Sequence, residues 1–316
     1  MTIDEHLTHF AGRAVVDWEP HTGLPDPDHT IYRVGLSDRE AAGGQRWTDK
    51  LSLLLNHPAV ERLPGLVVGA WDFLGAEESS APVVEALVAA RGRLAGLRAI
   101  FLGDVISEEQ EISWITQSDL SPLFNAYPLL EHVGVRGGTG LTLGSLRHAH
   151  LKSLIIQSGG LEARVVREVG AAQLPELEHL ELWLGAADFG ATATVEDLAP
   201  VLDGAAFPKL RYLGLRNSEL GDDLAAAVAG APVLARLRVL DLSLGTVGDA
   251  GAAALLASPA TGGLERLDLH HHFCSAAMVA RLVAGLEGRG VAVDAGQPQQ
   301  EAGYGGQRSR YVAVGE

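Results

Sequence analysis

Three consecutive histidines, His270-His271-His272, are the first residues in this 316-residue sequence that could do chemistry. Imidazole nitrogen is a common metal ligand and titrates near neutral pH. On a strand, alternation sends His270 and His272 to one side and His271 to the other. Asp241 and Asp268 stand 27 residues apart in matching contexts, so adjacent strands would bring them roughly 4.8 Å apart. A metal-dependent or small-molecule enzyme using Asp241, Asp268 and His270 is therefore one reading. Three adjacent histidines nonetheless lack the spaced ligand pattern of structural zinc sites, and no metal or cofactor is assigned. The run Gly134-Val135-Arg136-Gly137-Gly138-Thr139-Gly140 looks like a phosphate-cradling loop but lacks the Gly-Lys-Ser/Thr ending, and reads as a turn. No HExxH, GxSxG, CxxC or calcium-loop pattern occurs, so no residue is placed as acid, base or nucleophile. Acidic pairs such as Asp222-Asp223 and Glu108-Glu109 fit helix starts.

Positioning these residues falls to a repeat. The frame LxxLxL recurs from Leu63, Leu97, Leu130, Leu151, Leu177, Leu210, Leu237 and Leu264, the last four copies reading LEHLEL, LRYLGL, LRVLDL and LERLDL. A short strand with apolar residues at positions 1, 4 and 6 buries one face and turns positions 3, 5 and 7 outward. Between strands the pattern changes to helical spacing, as in Gly221 to Val228 and Gly248 to Leu256, each with an aspartate near the N-cap. The late spacings match leucine-rich repeats; the early ones allow insertions.

LRYLGL with RNSELGDDLAAAV, and LRVLDL with SLGTVGDAGAAALL, resemble the ribonuclease-inhibitor-like class of leucine-rich repeats over roughly residues 60–290. That resemblance implies an α/β horseshoe with a parallel concave sheet, convex helices and caps at both ends. The usual asparagine after the strand is largely absent, and the Leu130-to-Leu151 unit is too short for a full helix. The ends, HLTHFAGRAVVDW and RYVAVGE, are similar to a bacterial family of leucine-rich-repeat proteins whose genes sit beside those for radical-SAM enzymes. This second resemblance implies no defined activity.

In such solenoids the concave face usually binds. Position 3 carries Gly65, Ala99, His132, Ser153, His179, Tyr212, Val239 and Arg266. Position 5 carries Val67, Phe101, Gly134, Ile155, Glu181, Gly214, Asp241 and Asp268. Position 7 carries Gly69, Gly103, Arg136, Gln157, Trp183, Arg216, Ser243 and His270. The early copies are small and apolar, the late ones charged and aromatic. Exposed Trp, Tyr and Arg are hot-spot residue types, so Trp183, Tyr212 and Arg216 form the centre of the expected binding face. His179, Arg266 and His270 flank them, and Glu181, Asp241 and Asp268 make a carboxylate row suited to a basic segment. Phe101, Trp71 and Phe73 could be a second contact patch, or pack under the N-terminal cap or the long early loops. The expected function is non-catalytic protein or peptide binding.

A net charge of −16 disfavours nucleic acid and anionic membrane, where Lys and Arg displace counterions. The single cysteine, Cys274, permits no internal disulfide. No signal segment or membrane span is legible, so a cytoplasmic location is expected. The organisation reads as an N-terminal cap over 1–60, a solenoid over 61–294 and a tail over 295–316. The cap carries a strand at Ile31 to Leu36 and a helix from Trp47 to Asn56. In the tail, Gln297 to Arg308 reads as polar and flexible, and Arg310 to Val314 as a terminal strand pairing with the last edge.

Overall fold

The frame folds as its spacing requires. In the computed structural model, residues 3–71, 78–304 and 307–315 are described. Twelve strands form one sheet in chain order. They are β1 (His9–Phe10), β2 (Arg13–Asp17), β3 (Ile31–Val34), β4 (Gly65–Val68), β5 (Ala99–Leu102) and β6 (His132–Arg136). After them come β7 (Ser153–Gln157), β8 (His179–Gly185), β9 (Tyr212–Ser218), β10 (Val239–Asp241), β11 (Arg266–Asp268) and β12 (Ala292–Asp294). All neighbours are parallel except β1 and β2, which form a hairpin. From β4 to β11 the register pairs Gly65, Ala99, His132, Ser153, His179, Tyr212, Val239 and Arg266 in turn, the position-3 column of the frame. This is a leucine-rich-repeat α/β solenoid.

Frame residues at position 4 explain why the strands stack. Leu66, Leu154, Leu180, Leu213, Leu240 and Leu267 are wholly buried in one continuous apolar core. Burying each such side chain contributes roughly 1.5–3 kcal/mol. Helices cover the other side of the core, among them Gly221–Ala229, Asp249–Ala257 and Ala276–Glu287. Their aspartates act between repeats. Asp222 Oδ1 accepts from the Gly248 and Gly251 amides, 2.7 and 2.8 Å away. Asp249 in turn accepts from the Ser275 amide at 2.6 Å and from its hydroxyl at 2.8 Å. Each carboxylate thus fixes the start of the next helix, where free amides and the helix dipole favour an anion.

The tail differs from the expectation. Residues 310–314 do not pair with the last edge; they turn back across the ends of β10 and β9, where the Ala313 amide donates to Leu244 O. Asn217 accepts from the Val314 amide and donates to its carbonyl, a stronger purchase than an exposed three-residue edge offers. Strands β13 (Ala302–Tyr304) and β14 (Gln307–Ser309) form a separate antiparallel hairpin. Among the described residues no helix is long and apolar enough to cross a membrane.

Candidate functional site on the inner face of the sheet

The inner face is treated differently along its length. Over β4 and β5 the outward residues are apolar, and the chain covers them with its own first residues. Leu7 and Phe10 pack with Ile31, Val67, Ala99 and Phe101 in a second small core. Phe10 meets the Phe101 ring edge-on, centroids 5.5 Å apart. Buried Asp104 pins this segment, accepting from the Leu7 amide at 3.1 Å and from Arg33 Nη1 at 2.9 Å. His6 lies 3.6 Å from Asp104 and 3.4 Å from Glu109. Hydrogen bonding to Asp104, then to Glu109, pushes its pKa up to about 9. Phe101 is therefore buried under N-terminal residues, and Trp71 packs at the edge of the cores. Phe73 lies outside the described residues.

Over β8 to β10 the outward residues are polar and tie one another down. Tyr212 Oη lies 2.8 Å from Asp241 Oδ2 and 3.2 Å from Glu181 Oε2, so its one proton serves either carboxylate. Arg216 Nη1 reaches Glu181 Oε1 at 3.1 Å, and its Nε reaches Asp241 Oδ2 at 3.3 Å and Ser243 Oγ at 2.9 Å. Trp183 donates its indole N–H to Glu181 Oε1 at 2.7 Å, with the Arg216 guanidinium 5.1 Å from its ring centroid. Burial raises the Glu181 carboxyl. His179, 3.8 Å away, the charge of Arg216 and the Trp183 N–H outweigh it and hold the pKa at about 2. The Tyr212 phenol is driven up by burial and by the charges of Glu181 and Asp241. Gly214 makes this fit possible: a Cβ there would meet Tyr212 Cε1 at 3.0 Å and Glu181 Cγ at 3.1 Å. His179 then stacks on Tyr212, centroids 3.9 Å apart and planes within 6°.

This geometry corrects the expected centre. Trp183 and Arg216 are not exposed hot spots: Trp183 is wholly buried and Arg216 only 6% exposed. Strands β8 and β9 run on to Gly185 and Ser218, and other parts of the chain cover position 7 there. Ile3, Val105, Ile112, Ile115 and Val314 pack over Trp183 and Leu244. Glu181, Asp241 and Asp268 are buried too, so they are no free row for a basic segment. What stays open is the position-3 column, with His179, Tyr212 and Val239 half-buried and Arg266 exposed.

The aspartates at position 5 also have a backbone role. Asp241, Asp268 and Asp294 pair in register across β10 to β12. Each accepts from the amide two residues on, at Ser243, His270 and Gly296, at 2.9, 3.0 and 3.1 Å. Such an Asx turn ends a strand. One residue after each of those amides the backbone is left-handed, with φ of 65° at Leu244, 58° at His271 and 55° at Gln297. The ladder does part of the work of the missing asparagine.

Two of the three expected metal donors, Asp268 and His270, do come together, with Asp294 in the place of Asp241. Asp268, His270 and Asp294 bring ligand atoms within 4.8 Å of one another, whereas Asp241 is engaged with Tyr212 and Arg216. His270 Nδ1 lies 2.7 Å from Asp268 Oδ1. Arg266 Nη2 already bridges Asp268 Oδ2 and Asp294 Oδ2, at 2.6 and 3.1 Å. His271 and His272 face inward on backbone carbonyls, 3.3 Å from Gly245 O and 3.1 Å from Ala295 O. Sequence reasoning missed Asp294, whose D-x-G spacing at the end of β12 was the available signal. It also missed Leu7 and Phe10, apolar residues with no repeat to announce them.

Comparison with known proteins gives a relative of known structure. A protein of Bacteroides fragilis, solved by crystallography, is 30% identical, with a TM-score of 0.79 over 85% of this chain and 74% of that one. An internalin from Listeria monocytogenes aligns at 14% identity over 86% of this chain and 62% of that one, with a TM-score of 0.41, too low to carry an argument. No family model and no curated protein matches the chain.

Proposed function

The chain belongs to the same family as the Bacteroides fragilis protein, and from that premise and the geometry of the inner face we propose that it is a protein- or peptide-binding scaffold. The reading rests on one observation. Four successive strands present His179, Tyr212, Val239 and Arg266 outward, while the charged layer beneath is fully committed to internal bonds. A surface held rigid from below loses little conformational entropy when a partner docks. The stacked rings and Val239 suit an apolar or aromatic side chain, and Arg266 at one end suits a carboxylate or carbonyl. The net charge of −16 favours a neutral or basic partner through long-range attraction. The scaffold performs no chemistry of its own, and its carboxylates serve structure. The resemblance of the chain ends makes a radical-SAM enzyme, or that enzyme's substrate, the partner to try first.

A variant that tests this must leave the buried network intact. Val239→Lys changes the open column alone, since His179 also touches Glu181 and Tyr212 and Arg266 also touches Asp268 and Asp294. Affinity capture from native lysate should yield a protein that wild type retains and this variant loses, confirmed by calorimetry with the purified partner. Equal capture by both proteins would move the binding surface off this face and sink the proposal.

A further inference from the structure

Residues 310–315 run back over the strand ends against the order of the repeats, held at Arg310, Tyr311, Ala313 and Val314. Arg310 Nη1 donates to Asp222 Oδ2 at 2.8 Å and to Thr246 O at 3.1 Å. Tyr311 packs edge-on against His271 and Phe273, centroids 5.8 and 5.3 Å away. The Ala313 amide donates to Leu244 O at 2.9 Å. Val314 N–H donates to Asn217 Oδ1 at 2.9 Å, and Asn217 Nδ2 donates to Val314 O at 2.5 Å. The Val314 side chain enters the small core of Ile112, Ile115, Trp183 and Leu244.

The seat is periodic. His271, Leu244 and Asn217 occupy the same frame position in three successive repeats, all with left-handed backbone, and each meets one residue of the segment. Main-chain bonds for affinity with pockets for chosen side chains are how proteins bind extended peptides. Gly159 shows that the groove is shaped for a crossing backbone. A Cβ there would run into Gly315 O, while its nearest neighbour outside the segment is Ile112 Cγ2 at 3.3 Å.

We propose that this groove is a peptide-binding seat separate from the open column, and that 310–315 is its resident, displaceable occupant. The peptide it fits is extended and carries a cation, an aromatic ring and then, one residue on, the triplet Ala-Val-Gly. When the segment leaves, the part of the small core of Trp183, Leu244 and Ile112 that Val314 covers is opened on the inner face. None of His179, Tyr212, Val239 or Arg266 takes part, so the seat stands apart from the scaffold reading.

The test uses the full chain and a fluorescein-labelled peptide of residues 308–315, followed by anisotropy. A tethered segment has an effective concentration in the millimolar range, so it outcompetes free peptide in wild type. Val314→Asp weakens the resident segment without altering the seat, and should raise affinity for the labelled peptide at least about tenfold. Arg310→Glu does the same from the solvent side and serves if Val314→Asp impairs folding. Adding Asn217→Ala or Gly159→Ala to either should abolish the gain. Hydrogen exchange on wild type should show the 313 and 314 amides opening faster than Leu213. The proposal is overturned if labelled peptide binds the weakened variants no better than wild type. It is equally overturned if the gain survives Asn217→Ala, or if those amides exchange only with global unfolding. No partner protein enters the experiment, so its failure is distinguishable from failure of the scaffold reading.

Discussion

The two halves of the inner face solve one problem in opposite ways. Every strand turns positions 3, 5 and 7 away from the main core. Over β4 and β5 those residues are Val67, Ala99 and Phe101, and exposing them would be unfavourable; Leu7 and Phe10 are laid across them. Over β8 to β10 they are Glu181, Tyr212, Arg216 and Asp241, which bond to one another and need no cover at position 3. Apolar residues recruit the chain's own segments, whereas a self-satisfied polar layer leaves room for something else. The position-3 surface available to the proposed partner therefore lies in the late repeats, although their most eye-catching side chains are buried.

The sharpest way to break this contrast is to remove the ion at its centre. Arg216→Ala leaves Glu181 and Asp241 facing each other with one tyrosine proton between them. Taking one partner from a buried charge pair costs about 3–5 kcal/mol, so chemical denaturation should show a loss of that order. A change below about 1 kcal/mol would mean that the network is solvated and that the late half is held otherwise.

Core leucines give the reference against which both halves are judged. Leu213→Ala and Leu240→Ala each empty a wholly buried site and should cost about 2–5 kcal/mol through lost burial plus cavity. A thermal melt unmoved by either would contradict the stacking of the repeats.

The early half is broken more gently, by pH. Folding raises the His6 pKa from 6.5 to about 9 through Asp104 and Glu109. The proton is bound more tightly in the folded state, so the contribution is fully present below pH 6.5. It is lost as pH rises through about 9. The stability gap between wild type and His6→Gln should close over that window. A gap independent of pH would show that the N-terminal segment is held by Leu7 and Phe10 alone. The Glu181 carboxyl in the late half is shifted the other way, held at about 2, so its contribution is present above its ordinary 4.5 and is lost only as pH falls toward 2.

The sheet and its register were legible because a period-two pattern repeated eight times leaves one alignment that buries every leucine. The column of position-3 residues pairs as the frame predicts. The site was legible only as an address. Sequence identifies the residues that turn away from the core, and cannot say what lies over them. Trp183 is buried by Ile3, Ile112 and Val314, which come from three distant stretches and carry no shared motif. Asp241 and Asp268 were read as free charges because an aspartate bonded to its own chain two residues on has the same letter as one facing solvent.

The smallest effect tests that last point. Gln297 follows the third Asx turn of the ladder and takes a left-handed backbone with φ of 55° while its side chain is exposed. An L-residue in that region costs about 1–2 kcal/mol. Glycine removes the penalty and restores about 0.5–1 kcal/mol of unfolded-chain entropy against folding. Gln297→Gly should therefore stabilise by a fraction of a kilocalorie per mole. At Leu244 the backbone is as strained, but the side chain packs on Trp183, so Leu244→Gly should destabilise instead. Opposite signs at two positions with the same backbone would locate the strain in the ladder and the binding energy of the fold in what covers it. The same sign at both would mean that the left-handed turns are not set by the aspartates at all.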